Sequence, residues 1–175
     1  MTTVAAVEVT LAVAAAPAEV FRYWTDPVRY VRWMGAVAAL DARPGGRYEV
    51  AMSDGFRAAG RYESVDPPHR VTFTWGFADA EAASHTRHQP GEEAVHQPGA
   101  GAAASAMPAG STRVTVTLAA AGKGTRLTLR HDRLPSAELA AAHRVAWETY
   151  LPRLAAVAAG RDPGPDPHSA ARDGE

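Results

Sequence analysis

The feature that most constrains the fold is one long amphipathic segment near the end of the chain, residues 136–159. Its large side chains recur at steps of three and four residues, which places them on one face of a helix. Ser136 is a suitable N-cap, and Gly160 followed by Pro163 predicts the stop. The predicted face comprises Leu139, His143, Trp147, Tyr150, Leu151, Leu154, Val157 and Ala158. Such a helix requires a broad apolar surface to pack against.

The preceding chain offers that surface as strands in which apolar and polar residues alternate. A first strand over residues 4–13 is followed by two short helices, residues 17–25 and 27–34. Turn signals such as Asp54-Gly55 then separate the strands of a meander. These strands are predicted at residues 36–43, 46–53, 56–65, 69–77, 112–120 and 125–131. We therefore expect an α+β fold, a curved antiparallel sheet of about seven strands around the long C-terminal helix.

Composition excludes several classes of function. The chain has 175 residues, a formal net charge of −1 and no cysteine. A nearly neutral protein has no overall field to attract nucleic acid or an anionic membrane, and a chain without cysteine has neither disulfides nor a thiol nucleophile. No run approaches the roughly 18 apolar residues of a membrane span. We expect a cytoplasmic domain with no cofactor, no metal site, and no nucleic-acid or membrane partner.

Two segments lack the pattern of a packed chain. Residues 78–111 have no apolar period and few large apolar side chains, and residues 161–175 are rich in proline and charge. Such segments bury too little apolar surface to offset the entropy of ordering. We predict one domain over residues 1–160 with a disordered insert at 78–111, and a disordered tail at 161–175. Within the insert, His85, His88 and His96 offer only a loose metal site, because a flexible segment is not preorganised for binding.

Short motifs along the chain resemble one known family. The opening motifs are Pro17-x-x-Val20-Phe21, Trp24-Thr25-Asp26-Pro27 and Trp33; the later ones are Arg43-Pro44-Gly45-Gly46-Arg47-Tyr48, Val65-Asp66-Pro67-Pro68, Val71-x-Phe73-x-Trp75 and Gly124-Thr125-Arg126-Leu127. His143-x-x-Ala146-Trp147-x-x-x-Leu151-x-x-Leu154 closes the series. In order and spacing they are similar to START-like (SRPBCC) domains, in the branch of the activator of heat-shock ATPase homologues. The resemblance implies the helix-grip fold and a domain that binds a small hydrophobic molecule.

The C-terminal helix departs from the family pattern at two positions. Ala146 stands where the family has glycine, and Pro152 lies inside the helix, where it removes an amide hydrogen bond and is expected to produce a kink. Ala146, Ala58 and Gly60 are small residues predicted at inward or closely packed positions. We therefore expect a partial cavity between the sheet and the helix.

The inward faces of the predicted elements define the candidate site. A mostly apolar cavity with a few polar groups is typical of a small-molecule site. The expected ligand is a small hydrophobic or aromatic molecule, and a protein partner is left open. The candidate ligand-binding residues are Trp33, Tyr48, Met52, Phe56, Tyr62, Phe73, Trp75, Leu129, His131, His143, Trp147 and Tyr150.

Two alternatives remain open at this stage. One is an enzyme of the cyclase or hydrolase kind that uses His131, His143 and Tyr62, although no inward carboxylate is evident to orient an imidazole. The other is a protein-interaction domain, which the family name suggests. The histidines also have a structural interpretation, in which backbone groups or each other satisfy them. We expect a binding domain rather than an enzyme, and assign no catalytic residue.

Overall fold

The computed structural model of the chain describes residues 5–78 and 106–167. Within these ranges, seven strands form one antiparallel sheet in the order β1-β7-β6-β5-β4-β3-β2, and three helices accompany it. The elements are β1 (Ala5–Val13), α1 (Pro17–Thr25), α2 (Pro27–Tyr30), β2 (Val37–Leu40), β3 (Arg47–Ala51), β4 (Arg57–Asp66), β5 (Arg70–Trp75), β6 (Thr112–Ala121), β7 (Gly124–Leu134) and α3 (Ala137–Ala158). The predicted helix-grip α+β fold is confirmed.

The long helix α3 begins and ends where the sequence predicts. The Ser136 hydroxyl accepts a hydrogen bond from the Leu139 amide at 3.1 Å, which caps the first turn. Beyond the last turn, Gly160 has a φ of +74°. The Gly160 amide donates to the Val157 carbonyl at 3.0 Å, and the Arg161 amide donates to the Ala156 carbonyl at 2.8 Å. This paired arrangement is a Schellman C-cap, and it fixes the direction in which the tail leaves the helix.

The second short helix occupies the first half of the predicted segment. The sequence predicts one to two turns within residues 27–34, and α2 is a single turn, Pro27–Tyr30, capped by the Asp26 carboxylate on the Val28 amide at 2.9 Å. The chain then tightens, because the Trp33 amide bonds to the Tyr30 carbonyl three residues back, at 3.2 Å. Gly35 follows with a φ of +79° and packs so closely on the Val50 side chain that a Cβ would lie 2.5 Å from it. This turn leads the chain from α2 into β2.

The last residues of the predicted insert belong to the core. Met107 is fully buried, with 0% of its surface exposed, and its carbonyl accepts from the Phe77 amide at 2.8 Å. Pro108 forms a β-bridge with Phe77. Residues 106–111 thus contribute a buried apolar side chain and backbone pairing to the described structure. Residues 79–105 lie outside the described ranges, and their disorder stays a prediction.

The first residues of the predicted tail are also fixed in place. The Arg153 guanidinium donates to the carbonyls of Pro163 and Gly164, each at 3.1 Å, and Pro165, at 2.7 Å. Residues 161–167 thus have defined hydrogen-bond partners, because an arginine on α3 binds their backbone. Residues 168–175 lie outside the described part of the chain.

The outer face of the sheet carries paired charges. Glu49 forms ion pairs with both Arg47 and Arg57, and Asp132 accepts from Arg113 at 3.1 Å.

Among the described residues, no helix is long and apolar enough to cross a membrane.

Candidate functional site

A cavity of about 180 Å³ lies between α3, the loop that joins β3 to β4, and the end of β5. Its lining residues are Met34, Met52, Asp54, Phe56, Trp75, Phe77, His143, Ala146, Trp147 and Tyr150. An apolar cavity of about 150 Å³ is enough to hold benzene. The space therefore matches one substituted aromatic ring and is smaller than the roughly 300–1,000 Å³ typical of sites for drug-sized ligands.

The helical wall of the cavity follows from the spacing of four residues. His143, Ala146, Trp147 and Tyr150 occupy positions i, i+3, i+4 and i+7 of α3, which face the same direction. Ala146 contributes only a methyl group between larger neighbours. The small side chain at this position therefore leaves part of the space under the helix open, as the sequence predicted for Ala146.

The opposite wall is aromatic. The rings of Trp75 and Phe77 meet edge to face with centroids 4.9 Å apart, and Phe56 meets Phe77 in the same way at 5.8 Å. Phe56 is positioned by the turn before it, where the Asp54 carboxylate accepts from the Phe56 amide at 3.1 Å and Gly55 takes a φ of +95°. Edge-to-face pairs hold these rings in fixed relative orientations.

His143 is the polar group of the helical wall. Its Nδ1 lies 2.8 Å from the Leu139 carbonyl oxygen, which can only accept, so Nδ1 carries the proton. Burial lowers the pKa of His143, with the Leu139 carbonyl opposing that effect, so the ring is neutral near pH 7. Nε2 is then an unprotonated acceptor, and it has no hydrogen-bond partner within residues 5–78 and 106–167. The site therefore offers a ligand one neutral hydrogen-bond acceptor.

His131 has a structural position behind that wall. Its Nδ1 accepts from the Trp147 indole N–H at 3.1 Å, so the neutral ring carries its proton on Nε2. Nε2 donates to the Thr112 hydroxyl at 2.8 Å, and that hydroxyl donates to the Trp75 carbonyl at 2.7 Å. Burial, with a smaller contribution from His143, lowers the pKa of His131 to about 3. Both nitrogens are occupied, so His131 holds the cavity walls and does not face the space between them.

The structure divides the predicted ligand-binding residues into two groups. Those that line the cavity are Met52, Phe56, Trp75, His143, Trp147 and Tyr150. Those that lie outside it, with 0% or 1% of their surface exposed, are Trp33, Tyr48, Tyr62, Phe73, Leu129 and His131. The second group lies on the predicted inward faces but in the packed part of the core.

Aromatic side chains of α1 and α2 fill that part of the core. Trp24 lies 4.8 Å from Trp33 and 6.3 Å from Phe73, measured between ring centroids. The hydroxyls of Tyr30 and Tyr48 are 2.6 Å apart. Gly60 leaves no space either, because a Cβ there would lie 1.9 Å from the Thr74 carbonyl oxygen. The cavity therefore lies beside this packed region and is lined by other residues of the sheet and α3.

Sequence reasoning missed several lining residues. Phe77 continues the alternation of β5 beyond Trp75, so it carried a signal, whereas Ala146 was predicted only as a small, closely packed residue. Met34 and Asp54 lie in turns, where no period indicates a direction.

The hydrogen bonds of the candidate catalytic groups do not form a catalytic arrangement. The partners of His131 and His143 are Thr112, Trp147 and the Leu139 carbonyl, and no carboxylate in the described ranges bonds to either ring. The Tyr62 hydroxyl donates to the Trp24 carbonyl at 2.8 Å, and burial raises its pKa. In the same ranges, no cluster of three or more histidine, aspartate or glutamate side chains is suited to hold a metal ion.

Comparison with known proteins connects this geometry to a family. The family model described as activator of Hsp90 ATPase homolog 1-like protein matches residues 14–159. An AHSA1-like protein from Rhizobium etli, solved by NMR, is 40% identical, with 94% of this chain and 88% of that chain covered and a TM-score of 0.63. No curated protein matches the chain.

More distant structures share the fold alone. CalU16 from Micromonospora echinospora is 24% identical, with 85% of this chain and 73% of that chain covered and a TM-score of 0.59. An Hsp90 activator from Plasmodium falciparum is 19% identical, with 89% and 96% covered and a TM-score of 0.61.

Proposed function

The chain belongs to the activator of Hsp90 ATPase homolog 1-like family, within the START-like (SRPBCC) superfamily, and we propose that it binds a small hydrophobic or aromatic molecule. The observation that carries the proposal is the cavity of about 180 Å³, walled by aromatic and thioether side chains and holding one unpaired imidazole acceptor. Apolar walls supply affinity, and a few placed polar groups supply orientation. We expect the protein to act in the cytoplasm.

The tautomer of His143 specifies the ligand further. Because Nε2 is an acceptor near neutral pH, a ligand hydroxyl or N–H fits it, whereas a carbonyl oxygen presents a second acceptor. A hydroxylated aromatic ring therefore suits the site better than a ketone of the same size.

The alternatives have less support. A cyclase or hydrolase would need an oriented base in the cavity, and His143 bonds to a backbone carbonyl rather than to a carboxylate. A protein-interaction role is suggested by the name of the Plasmodium falciparum relative, whose similarity extends only to the fold.

The proposal predicts that a neutral fluorescent probe binds in the cavity and that a larger side chain in the cavity weakens this binding. 4-(Dimethylamino)benzonitrile, a fluorophore built on a single substituted ring, should bind the unmodified protein at low micromolar concentration, which corresponds to about −8 kcal/mol. Ala146→Leu should weaken binding at least about tenfold, because the added side chain occupies the ligand's space, and should lower the free energy of unfolding by only about 1–3 kcal/mol. Fluorescence titration measures the first effect and urea unfolding the second.

Ala142→Leu is the matched control, since Ala142 is exposed on the same helix. If the probe binds Ala142→Leu and Ala146→Leu equally, it occupies another site. Absence of binding to the unmodified protein would contradict the proposal.

A second prediction concerns the acceptor on His143. p-Cresol and p-xylene have nearly the same shape, and only p-cresol donates a hydrogen bond. The unmodified protein should prefer p-cresol, and His143→Leu should remove about 1–3 kcal/mol of that preference while p-xylene affinity changes little. Calorimetric titration of both ligands, with His69→Leu as an exposed control, measures the difference. An unchanged preference in His143→Leu would show that the imidazole does not contact the ligand.

A further inference from the structure

The tail after α3 turns back along the helix and ends beside the cavity. The Asp162 carboxylate accepts from the Gly164 amide at 2.8 Å, which forms a tight turn. On the helix side, Arg153 donates to the backbone of this turn and, through Nε, to the Trp33 carbonyl at 3.0 Å. We call residues 161–167 the strap. The family model ends at residue 159, so the strap lies outside the matched region.

One carboxylate of the strap joins the two walls of the cavity. Asp166 accepts from the Tyr150 hydroxyl at 2.9 Å and from the Ser53 hydroxyl at 3.1 Å. Tyr150 lines the cavity on the helix side, and Ser53 lies between Met52 and Asp54, which line it on the loop side. The Asp166 carboxylate therefore bridges the β3–β4 loop and α3 at the edge of the proposed site.

We propose that Asp166 is the latch of this strap and controls how fast a ligand enters and leaves the cavity. The inference rests on the proposed ligand-binding function. Hydrogen bonds to a carboxylate are stronger than neutral ones, so the latched state is favoured at rest. A released carboxylate is well hydrated, so water replaces both hydroxyl donors when the strap lifts. The β3–β4 loop is then free to move away from α3 and open the cavity, as lids do around other ligand sites.

The first test needs no ligand. Asp166→Ala should speed hydrogen exchange of the amides of residues 52–56 about tenfold in the full chain, because the loop loses its link to α3. Ser53→Ala removes one of the hydroxyl donors that Asp166 has among the described residues and should have a smaller effect in the same direction. Arg161→Ala, an exposed residue of the same strap, should leave the exchange rates as they are. Equal exchange in Asp166→Ala and Arg161→Ala would overturn the latch.

The second test measures access to the cavity. In stopped-flow experiments with 4-(dimethylamino)benzonitrile, Asp166→Ala should raise the association and dissociation rate constants together, each about tenfold, and change Kd less than threefold. Faster amide exchange with unchanged rate constants would overturn the control of access, because the strap would then only stiffen the loop.

The outcomes separate this inference from the proposed function. If the probe binds the unmodified protein and Asp166→Ala with the same kinetics, the latch is wrong and the binding function stands. If the probe binds Asp166→Ala and not the unmodified protein, the strap blocks binding at equilibrium, which overturns the proposed control of rates alone. If it binds neither, the control of access fails together with the binding function, and amide exchange still shows whether Asp166 links the loop to the helix.

Discussion

Truncating Trp147 to alanine is expected to lower the free energy of unfolding by roughly 3–5 kcal/mol, the range for removal of a buried aromatic side chain. Trp147 is 3% exposed and joins α3 to the aromatic core, with its ring 6.4 Å from that of Trp24. Its indole N–H also donates to His131 Nδ1 at 3.1 Å. The truncation therefore enlarges the cavity and leaves a buried acceptor without a donor.

Urea unfolding followed by circular dichroism measures the loss. Val145→Ala is the matched control, because Val145 lies on the same helix with 63% of its surface exposed and should cost less than about 0.5 kcal/mol. Trp147→Phe keeps an aromatic ring and removes the N–H. It should therefore lower the free energy of unfolding more than Val145→Ala and less than Trp147→Ala. If Trp147→Ala unfolds as readily as Val145→Ala, α3 does not pack on the sheet through this face.

Acidification is expected to destabilise the protein through His131. The imidazole is neutral and fully buried in the folded protein, and its pKa falls from the ordinary 6.5 to about 3. The unfolded state therefore binds more protons between pH 6.5 and 3. The contribution of His131 to stability is complete above pH 6.5 and decreases as the pH falls through this window, by up to about 1.4 kcal/mol per pH unit. Between pH 7 and 5 the expected loss is about 2 kcal/mol.

Urea unfolding at a series of pH values measures this dependence. The pKa of His143 is also lowered by burial, so it adds a loss in the same direction. His131→Gln removes one titrating group, and its stability should depend less steeply on pH between 6.5 and 5 than that of the unmodified protein. Val145→Ala changes an exposed residue that does not titrate and should keep the original slope. Identical slopes in all three proteins would show that His131 is not held neutral by burial.

The sequence predicted the fold well because its strongest signals are local. The face of α3 follows from side-chain spacing, and its ends follow from Ser136 and Gly160, whose caps depend on neighbouring residues alone. The alternation of each strand likewise placed Tyr48, Phe73 and Trp75 on the inward face. The exact end of α2 was not predicted, because Trp33 and Met34 in the turn after the helix are buried like Tyr30 at its end.

The site was predicted only in part. Alternation in a sequence shows which face of a strand carries a side chain, but not whether that side chain borders a cavity or lies in the packed core. Phe73 and Trp75 occupy equivalent positions in the alternation of β5. In the structure, however, Trp24 covers Phe73, whereas Trp75 lines the cavity beneath α3. The pairing of His131 with Trp147 and Thr112 links three elements. The sequence is compatible with either a structural role or a ligand contact for His131. These hydrogen bonds identify the structural role.

The most direct test of the central claim uses the tryptophans as reporters inside the protein. Trp75 and Trp147 line the cavity, whereas Trp24 and Trp33 are fully buried outside it. In two-dimensional ¹H–¹⁵N NMR spectra, titration with p-cresol should shift the indole N–H signals of Trp75 and Trp147 to saturation. The signals of Trp24 and Trp33 should move much less. Four unmoved signals, or four that move together without saturating, would contradict ligand binding in this cavity.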